Sequence, residues 1–302
     1  MSEASFRGLL STLYFSYDNN GNLLSKADGT DTTIYEWDYE DRLLTVNSTL
    51  VTVNYSYDPD GNRISKTVDG VKTKYINDVA SPLVQVLMET TEEDTVLATY
   101  TYGNDLISMN RAGENSYYHY DGLGSVRQLT DDNEAVVTEY TYDAFGNVIA
   151  STGTSENTYK FTGEQFDSSS GLLYLRARYY DSSIGRFISR DPILSPVKME
   201  SNFTWALPSL ISRPQLLYPY IYCGNNPVNW IDPRGELIIV DWIYDCIQCF
   251  RYHGKTHKKA SECRKKYPCD TQKRIKCNQT DPYYKKAMDH CTKCGIGSYT
   301  GS

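Results

Sequence analysis

The sequence has no run of about 18 apolar residues, the minimum for a helix that crosses a membrane, so a helical span is excluded. Met1-Ser2-Glu3-Ala4 is not followed by the basic and apolar segments of a signal peptide, so export is expected to use dedicated machinery or a signal on a longer precursor. Cysteine is nearly missing from the first 237 residues, where Cys223 stands alone. No His-Glu or Asp-Glu cluster with nuclease spacing follows it in the remainder. What the chain does have is aromatic surface: 27 Tyr and four Trp in 302 residues supply broad amphipathic side chains suited to a sheet.

Those tyrosines recur in a motif. Tyr17-Asp18-Asn19-Asn20-Gly21-Asn22, Tyr57-Asp58-Pro59-Asp60-Gly61-Asn62, Tyr120-Asp121-Gly122-Leu123-Gly124-Ser125 and Tyr142-Asp143-Ala144-Phe145-Gly146-Asn147 are near-copies, with a decayed one at Trp37-Asp38-Tyr39-Glu40-Asp41-Arg42. The first copies are 20 residues apart and the last two 22, which marks a repeat array. Asp and Asn bond back to a turn backbone while Gly accepts positive φ, so each unit reads as a β-hairpin, with an alternating run such as Asn22-Leu23-Leu24-Ser25-Lys26 as its second strand. Single hairpins are marginal in water, so these are expected to join edge to edge in a long antiparallel sheet up to about residue 190.

Charge and cysteine shift together near residue 237. Residues 238–302 hold 13 Lys+Arg against 6 Asp+Glu, a net of +7, leaving 17 against 32, or −15, for residues 1–237. Seven of the eight cysteines also lie in 238–302. A junction this sharp marks a domain boundary between an acidic repeat body and a small basic, Cys-rich domain.

Between them lies the most specific stretch: Phe161-Thr162-Gly163-Glu164; Gly171-Leu172-Leu173-Tyr174-Leu175-Arg176-Ala177-Arg178-Tyr179-Tyr180-Asp181; Gly185-Arg186-Phe187-Ile188-Ser189-Arg190-Asp191-Pro192; and Asn225-Asn226-Pro227-Val228-Asn229-Trp230-Ile231-Asp232-Pro233-Arg234-Gly235. With the Tyr-Asp repeats, these segments closely resemble the Rhs/YD-repeat family and its Rhs-associated core domain. The resemblance implies a mainly β fold: a coiled antiparallel YD-repeat sheet over residues 1–158, here a partial shell of five or six repeats, and a core plug over 159–237. A variable C-terminal toxin domain, 238–302, would be held by the shell. The core is also similar to the self-cleaving part of the C subunit of Tc insecticidal toxins, in which two aspartates form an internal aspartyl protease. Those aspartates match Asp191 and Asp232, and the scissile bond matches Leu237 to Ile238. The resemblance further implies an immunity protein, secretion machinery and a secreted or cell-surface location. The small number of repeats suggests a C-terminal piece of a longer precursor, or a displaced module.

The residue chemistry agrees with that assignment. Two carboxylates held close together cannot both ionise, so one keeps a proton as general acid while the other activates water. Pro192 and Pro233 stiffen the two loops. The segment from Ile193 to Leu217 is an apolar, Pro-containing insertion where the family has a short link; it either loops out or separates Asp191 from Asp232.

In the tail, Lys255–Lys266 and Pro282–Cys294 read as helices, the second closed by Gly295. Two Cys-x-x-Cys pairs, Cys246 with Cys249 and Cys291 with Cys294, could supply four thiolates to zinc. Disulfides in a small helical domain, or unpaired thiols, account for the same residues, and the favoured reading needs no metal or other cofactor. His253, His257 and His290 with the net +7 leave a nucleic-acid substrate open for the tail.

Two function classes fit: a polymorphic-toxin carrier with a self-cleaving core, and a non-catalytic surface protein whose Tyr-rich sheet binds carbohydrate or a partner, with the tail as end-cap. The cysteines give a direct test. If the tail is disulfide-linked, alkylation of the unreduced chain blocks at most one or two of its seven cysteines, and reduction unfolds it. A zinc site reverses this, so that chelator rather than reductant melts the domain.

Overall fold

Asp-x-x-Gly turns organise the larger sheet of the computed structural model, which describes residues 12–153, 155–194 and 217–236, all within one compact unit. The tail 238–302 with Cys246, Cys249, Cys291 and Cys294, the Leu237–Ile238 bond, and residues 195–216 of the insertion lie outside the described residues. In every turn the aspartate Oδ1 accepts the backbone N–H four residues on: Asn22 at 2.7 Å, Arg42 at 2.9 Å, Asn62 at 2.8 Å, Ser125 at 3.0 Å and Asn147 at 3.0 Å. Its Oδ2 then takes the side-chain amide of Asn22, Asn62 or Asn147, or Nε of Arg42 in the decayed copy. Where the motif has Gly the backbone is left-handed, φ +87° at both Gly21 and Gly61; the decayed copy uses Asp41 at φ 61°, one of the few side chains that tolerate this region.

The sheet is built of seven hairpins, five of them closed by these turns. They are β1 (Tyr14–Tyr17) with β2 (Leu23–Ala27), β3 (Thr32–Trp37) with β4 (Leu43–Asn47), β5 (Thr52–Tyr57) with β6 (Arg63–Val68), and β7 (Val71–Asp78) with β8 (Gln85–Thr90). There follow β9 (Val96–Tyr102) with β10 (Leu106–Arg111), β11 (Glu114–Tyr120) with β12 (Val126–Thr130), and β13 (Val136–Tyr142) with β14 (Val148–Gly153). All fourteen strands pair with their sequence neighbours in one antiparallel meander. Five or six repeats are visible in the sequence. The remainder is hidden because Asn77-Asp78 opens a longer loop and Tyr102 is followed by Gly103 instead of Asp.

Simple alternation along the second strand does not hold. A β-bulge follows each Tyr-Asp turn, so that Tyr57 pairs with Arg63 but Ser56 with Ser65, leaving Ile64 unpaired and 39 % exposed. Inward positions are therefore three apart, as in Leu43 with Val46 and Val126 with Leu129, all buried.

The tyrosine repeats have two separate roles. Tyr35, Tyr55, Tyr75, Tyr100, Tyr118 and Tyr140, two residues before each turn position, are buried and form a column along the inner face. The turn-position side chain reaches back to the preceding hairpin: Trp37 Nε1 to the Leu23 carbonyl (2.7 Å), Tyr57 Oη to Leu43 (2.7 Å), Asn77 Nδ2 to Arg63 (3.0 Å), Tyr120 Oη to Leu106 (2.6 Å) and Tyr142 Oη to Val126 (2.9 Å). These carbonyls sit at the bulges, where the ladder leaves acceptors over, and the side chains satisfy them.

A smaller sheet packs on this inner face: β15 (Gln165–Asp167), β16 (Leu172–Leu175), β17 (Arg178–Asp181) and β18 (Arg186–Phe187). Every residue of β16 and β17 is buried, and Leu172, Tyr174 and Tyr179 share a core with Leu23, Leu43, Val53 and Tyr55 of the large sheet. Charge links the two sheets. Arg63 occupies the inward position held by Leu23, Leu43 and Val126 elsewhere, yet it is 3 % exposed. It pairs with Asp167, donates Nη2 to Gln165 Oε1 at 2.8 Å, and lies 4.2 Å from the Tyr174 ring. Burial would raise the Asp167 carboxyl, but Arg63 and Lys66 hold it below its ordinary value. The mainly β architecture expected from the sequence is thus borne out; among the described residues no helix is long and apolar enough to cross a membrane.

Two glycines that are equivalent in the motif differ in their surroundings. A Cβ on Gly61 meets nothing within 4 Å, whereas one on Gly146 falls 2.4 Å from Cδ1 of the buried Phe161 ring. Gly61→Ala should cost about 1–2 kcal/mol from left-handed strain alone, and Gly146→Ala distinctly more, as read by urea denaturation.

Candidate active site

The Leu172–Leu175 run is apolar on both faces, so β16 is buried throughout, and the tight hairpin that follows comes to the surface only at its turn residues Arg176 and Ala177 before β17 is buried again. Arg176, at φ 58°, makes that turn, and Arg178 opens β17 opposite Leu175. The hairpin therefore carries a guanidinium into the interior; Arg178 is 2 % exposed, with its Cζ 3.5 Å from the centre of the Phe187 ring and Nη1 donating to the Pro219 carbonyl at 3.0 Å.

Asp191 reaches Arg178 from the chain after β18. Residues 187–191 run beside 219–221, with Phe187 N–H on the Tyr220 carbonyl and Asp191 N–H on the Pro219 carbonyl, both 3.0 Å. The chain thus returns at residue 217 next to where it departs after Leu194, and the insertion does not hold the two Asp-Pro motifs apart. Asp232 arrives on the returning strand of chain. Its loop lies across the β16–β17 turn, with Ala177 N–H donating to the Arg234 carbonyl (3.2 Å) and Arg178 Nε to that of Gly235. Gly235 sits at φ +63°, where a Cβ would be 2.2 Å from the Leu175 carbonyl oxygen, so only glycine permits this approach.

Both aspartates meet at one cation. Arg178 Nη2 lies 2.8 Å from Asp191 Oδ2 and 3.6 Å from Asp232 Oδ2, and the carboxylates are 1 % and 4 % exposed. Asp191 Oδ1 accepts the Ile193 N–H at 2.8 Å and Asp232 Oδ1 the Glu236 N–H at 3.2 Å. One guanidinium cannot neutralise two buried carboxylates, so one of them retains its proton. Asp232, farther from the guanidinium, is pushed up to about 7, chiefly by burial; Arg178 and the Glu236 N–H oppose the shift, and the Asp191 and Glu236 charges add to it. Burial lowers the Arg178 pKa, against the pull of the two aspartates. The cluster offers a protonated acid and a second carboxylate on one cation, the equipment of general acid–base hydrolysis.

The structure thus brings Asp191 and Asp232 to a common centre. Arg178 is the member that motif reading left without a role. It lies inside the Leu-Arg-Ala-Arg-Tyr-Tyr-Asp segment, and the available signal was a charged residue at the start of a run otherwise buried as a strand.

Comparison with known proteins matches residues 10–228 to the family model of the teneurin YD-shell. The tRNA3(Ser)-specific nuclease WapA of Bacillus spizizenii is 37% identical over 233 residues, covering 74% of this chain and 9% of that protein. The double-stranded DNA deaminase toxin A of Burkholderia cenocepacia is 30% identical over 258 residues, covering 74% of this chain and 17% of its own length. Among solved structures, the TcdB2–TccC3–Cdc42 complex aligns at 16% identity with a TM-score of 0.49, covering 74% of this chain and 13% of that one. The chain therefore spans a small part of the length of these relatives. With the family match extending over most of its residues, it belongs to the teneurin YD-shell family, the Rhs-type YD-repeat proteins to which its Tyr-Asp turns correspond.

Proposed function

We propose that this chain is the carrier portion of a polymorphic toxin, in which the YD sheet (1–158) and core (159–237) hold residues 238–302 and the core releases them by cutting its own backbone between Leu237 and Ile238. The observation that carries this reading is the pair of buried carboxylates, Asp191 and Asp232, on the Arg178 guanidinium. The relatives add support. A tRNA nuclease and a DNA deaminase toxin, proteins of different named activity, each resemble 74% of this chain, as expected of a shared carrier with exchangeable effectors. Secretion, an immunity partner and a nucleic-acid target for the basic tail belong to this proposal.

In the proposed reaction Asp232 is the acid and Asp191 the base. Asp191 takes a proton from a water molecule as its oxygen bonds to the Leu237 carbonyl carbon. Asp232 gives its proton to the carbonyl oxygen, which becomes the tetrahedral hydroxyl. Collapse breaks the C–N bond, the Ile238 nitrogen leaves as an amine with a proton from the Asp191 carboxyl, and the hydroxyl proton returns to Asp232. Arg178 holds both carboxylates in place and keeps the cluster's net charge small, while burial keeps Asp232 protonated near neutrality.

Mass spectrometry of the purified chain should find two fragments meeting at Leu237 and Ile238. Asp232→Asn should slow their formation by about a hundredfold or more, the usual worth of a general acid or base. Because the acid must be protonated, the rate should fall as pH rises through about 7. A wild-type chain that stays intact over days at mildly acidic and neutral pH rules out self-cleavage.

A further inference from the structure

The loop that carries Asp232 is gripped at three successive carbonyls by three successive residues of the β16–β17 turn. Arg176 Nη1 donates to Pro233, Ala177 N–H to Arg234 and Arg178 Nε to Gly235. Arg178 also touches the carboxylates, whereas Arg176 is held by Glu164, whose two oxygens lie 2.8 and 2.9 Å from the same Nη1 that reaches Pro233. We propose that Arg176, fixed by Glu164, is a positioning residue for Asp232 in the self-cleavage inferred above, on which this assignment rests.

Three observations bear on the role. First, Arg176 occupies the left-handed region at φ 58°, which is unfavourable for a large side chain and persists only where surrounding contacts impose it. Second, Glu164 is 8 % exposed and belongs to a different segment, set by the 3₁₀ turn Phe161–Gly163, whose Phe161 carbonyl accepts the Glu164 N–H at 3.1 Å. The pair thus ties the Asp232 loop to the junction between the two sheets. Burial raises the Glu164 carboxyl, and Arg176 opposes this. Third, a cavity of about 680 Å³ borders the loop at Asn229, Ile231 and Pro233, with Arg176 and Glu164 also in its wall. Beside that cavity the three hydrogen bonds from the turn hold the loop in place. An error of about 1 Å in a reacting group lowers rates by about a hundredfold.

Burial does most to raise the Asp232 carboxyl. The groups that act on it are Arg178 on β17, which opposes the rise, Asp191 beyond β18, which adds to it, and Glu236 on its own loop, whose N–H lowers and whose charge raises it, while the Asp232 charge in turn raises the Cys223 thiol. Freeing the Pro233 carbonyl lets Asp232 move away from Asp191 and toward solvent, which returns its midpoint toward the ordinary carboxylate range. Loss of fold alone would reduce the fraction of active protein without moving that midpoint.

The test is the pH dependence of self-cleavage in the full chain. Arg176→Met should cut the neutral-pH rate tenfold or more and shift the limb near pH 7 to lower pH, while Arg176→Lys, which keeps a charged donor, should stay within about threefold of wild type. The double variant Glu164→Gln with Arg176→Gln leaves no unpaired buried charge, which protects the fold, and should show the same displaced limb. A slower rate with the limb unmoved, or wild-type kinetics in the Met and double variants, overturns the positioning role. A wild-type chain that does not cleave overturns the self-cleavage reading instead. The clip is then read by carbon-13 NMR titration of the Asp232 carboxyl, where an identical midpoint in wild type and Arg176→Met overturns it.

Discussion

Two buried carboxylates with one guanidinium between them impose a constraint that the rest of the core satisfies. Arg178 cannot leave without stranding Asp191 and Asp232, and removing one member of a buried charge group typically costs several kcal/mol. The guanidinium is placed by a hairpin whose strands are buried on every residue, and it is held further by bonds from Nη1 and Nε to the Pro219 and Gly235 carbonyls. Three stretches of chain, 175–178, 186–194 and 217–236, are thereby fixed around one cation. Since a single positive charge is shared, the rise of the Asp232 carboxyl to about 7 follows from burial, with the Asp191 charge adding to it and Arg178 opposing it.

The large sheet solves a different problem with a repeated device. Each Tyr-Asp turn forms a bulge, and at five bulges the carbonyl left over is reached by a Trp, Tyr or Asn side chain of the next hairpin, 14 residues on in four windings and 16 in the fifth. Successive hairpins are thus stitched by a side-chain bond in addition to the strand ladder, and the Tyr two positions earlier fills the inner face. Where the small sheet must dock, the device is modified: Arg63 replaces the aliphatic residue and is matched by Asp167, a position that a hydrophobic pattern would assign to leucine.

Much of the fold was legible from residues 17–147 because turn chemistry is local. Asp18, Asp58 and Asp143 bond within four residues, and Gly21, Gly61 and Gly146 take positive φ, so each motif carries its own instructions. The two hairpins between Arg63 and Tyr120 escaped notice in part because their turns lack that chemistry. Bulges escaped because strict alternation is the simplest reading of a strand, and their cause is the turn geometry next to them. For the candidate site, Asp191 and Asp232 were legible only through resemblance to a family; two Asp-Pro dipeptides 41 residues apart carry no signal of proximity.

What the sequence by itself determined is therefore the hairpin unit, its repetition, the antiparallel sheet, and the boundary in charge and cysteine near residue 237, all of which depend on near neighbours or on composition. Tertiary structure alone decided which charges are buried and with whom: Arg63 with Asp167, Arg176 with Glu164, and Arg178 with both aspartates. It also decided that Gly61 faces open space while Gly146 faces Phe161, although the two turns read alike. The reason is physical. Turn hydrogen bonds are satisfied within a few residues of chain, whereas the ionisation and packing of a buried side chain depend on groups that sequence distance does not rank.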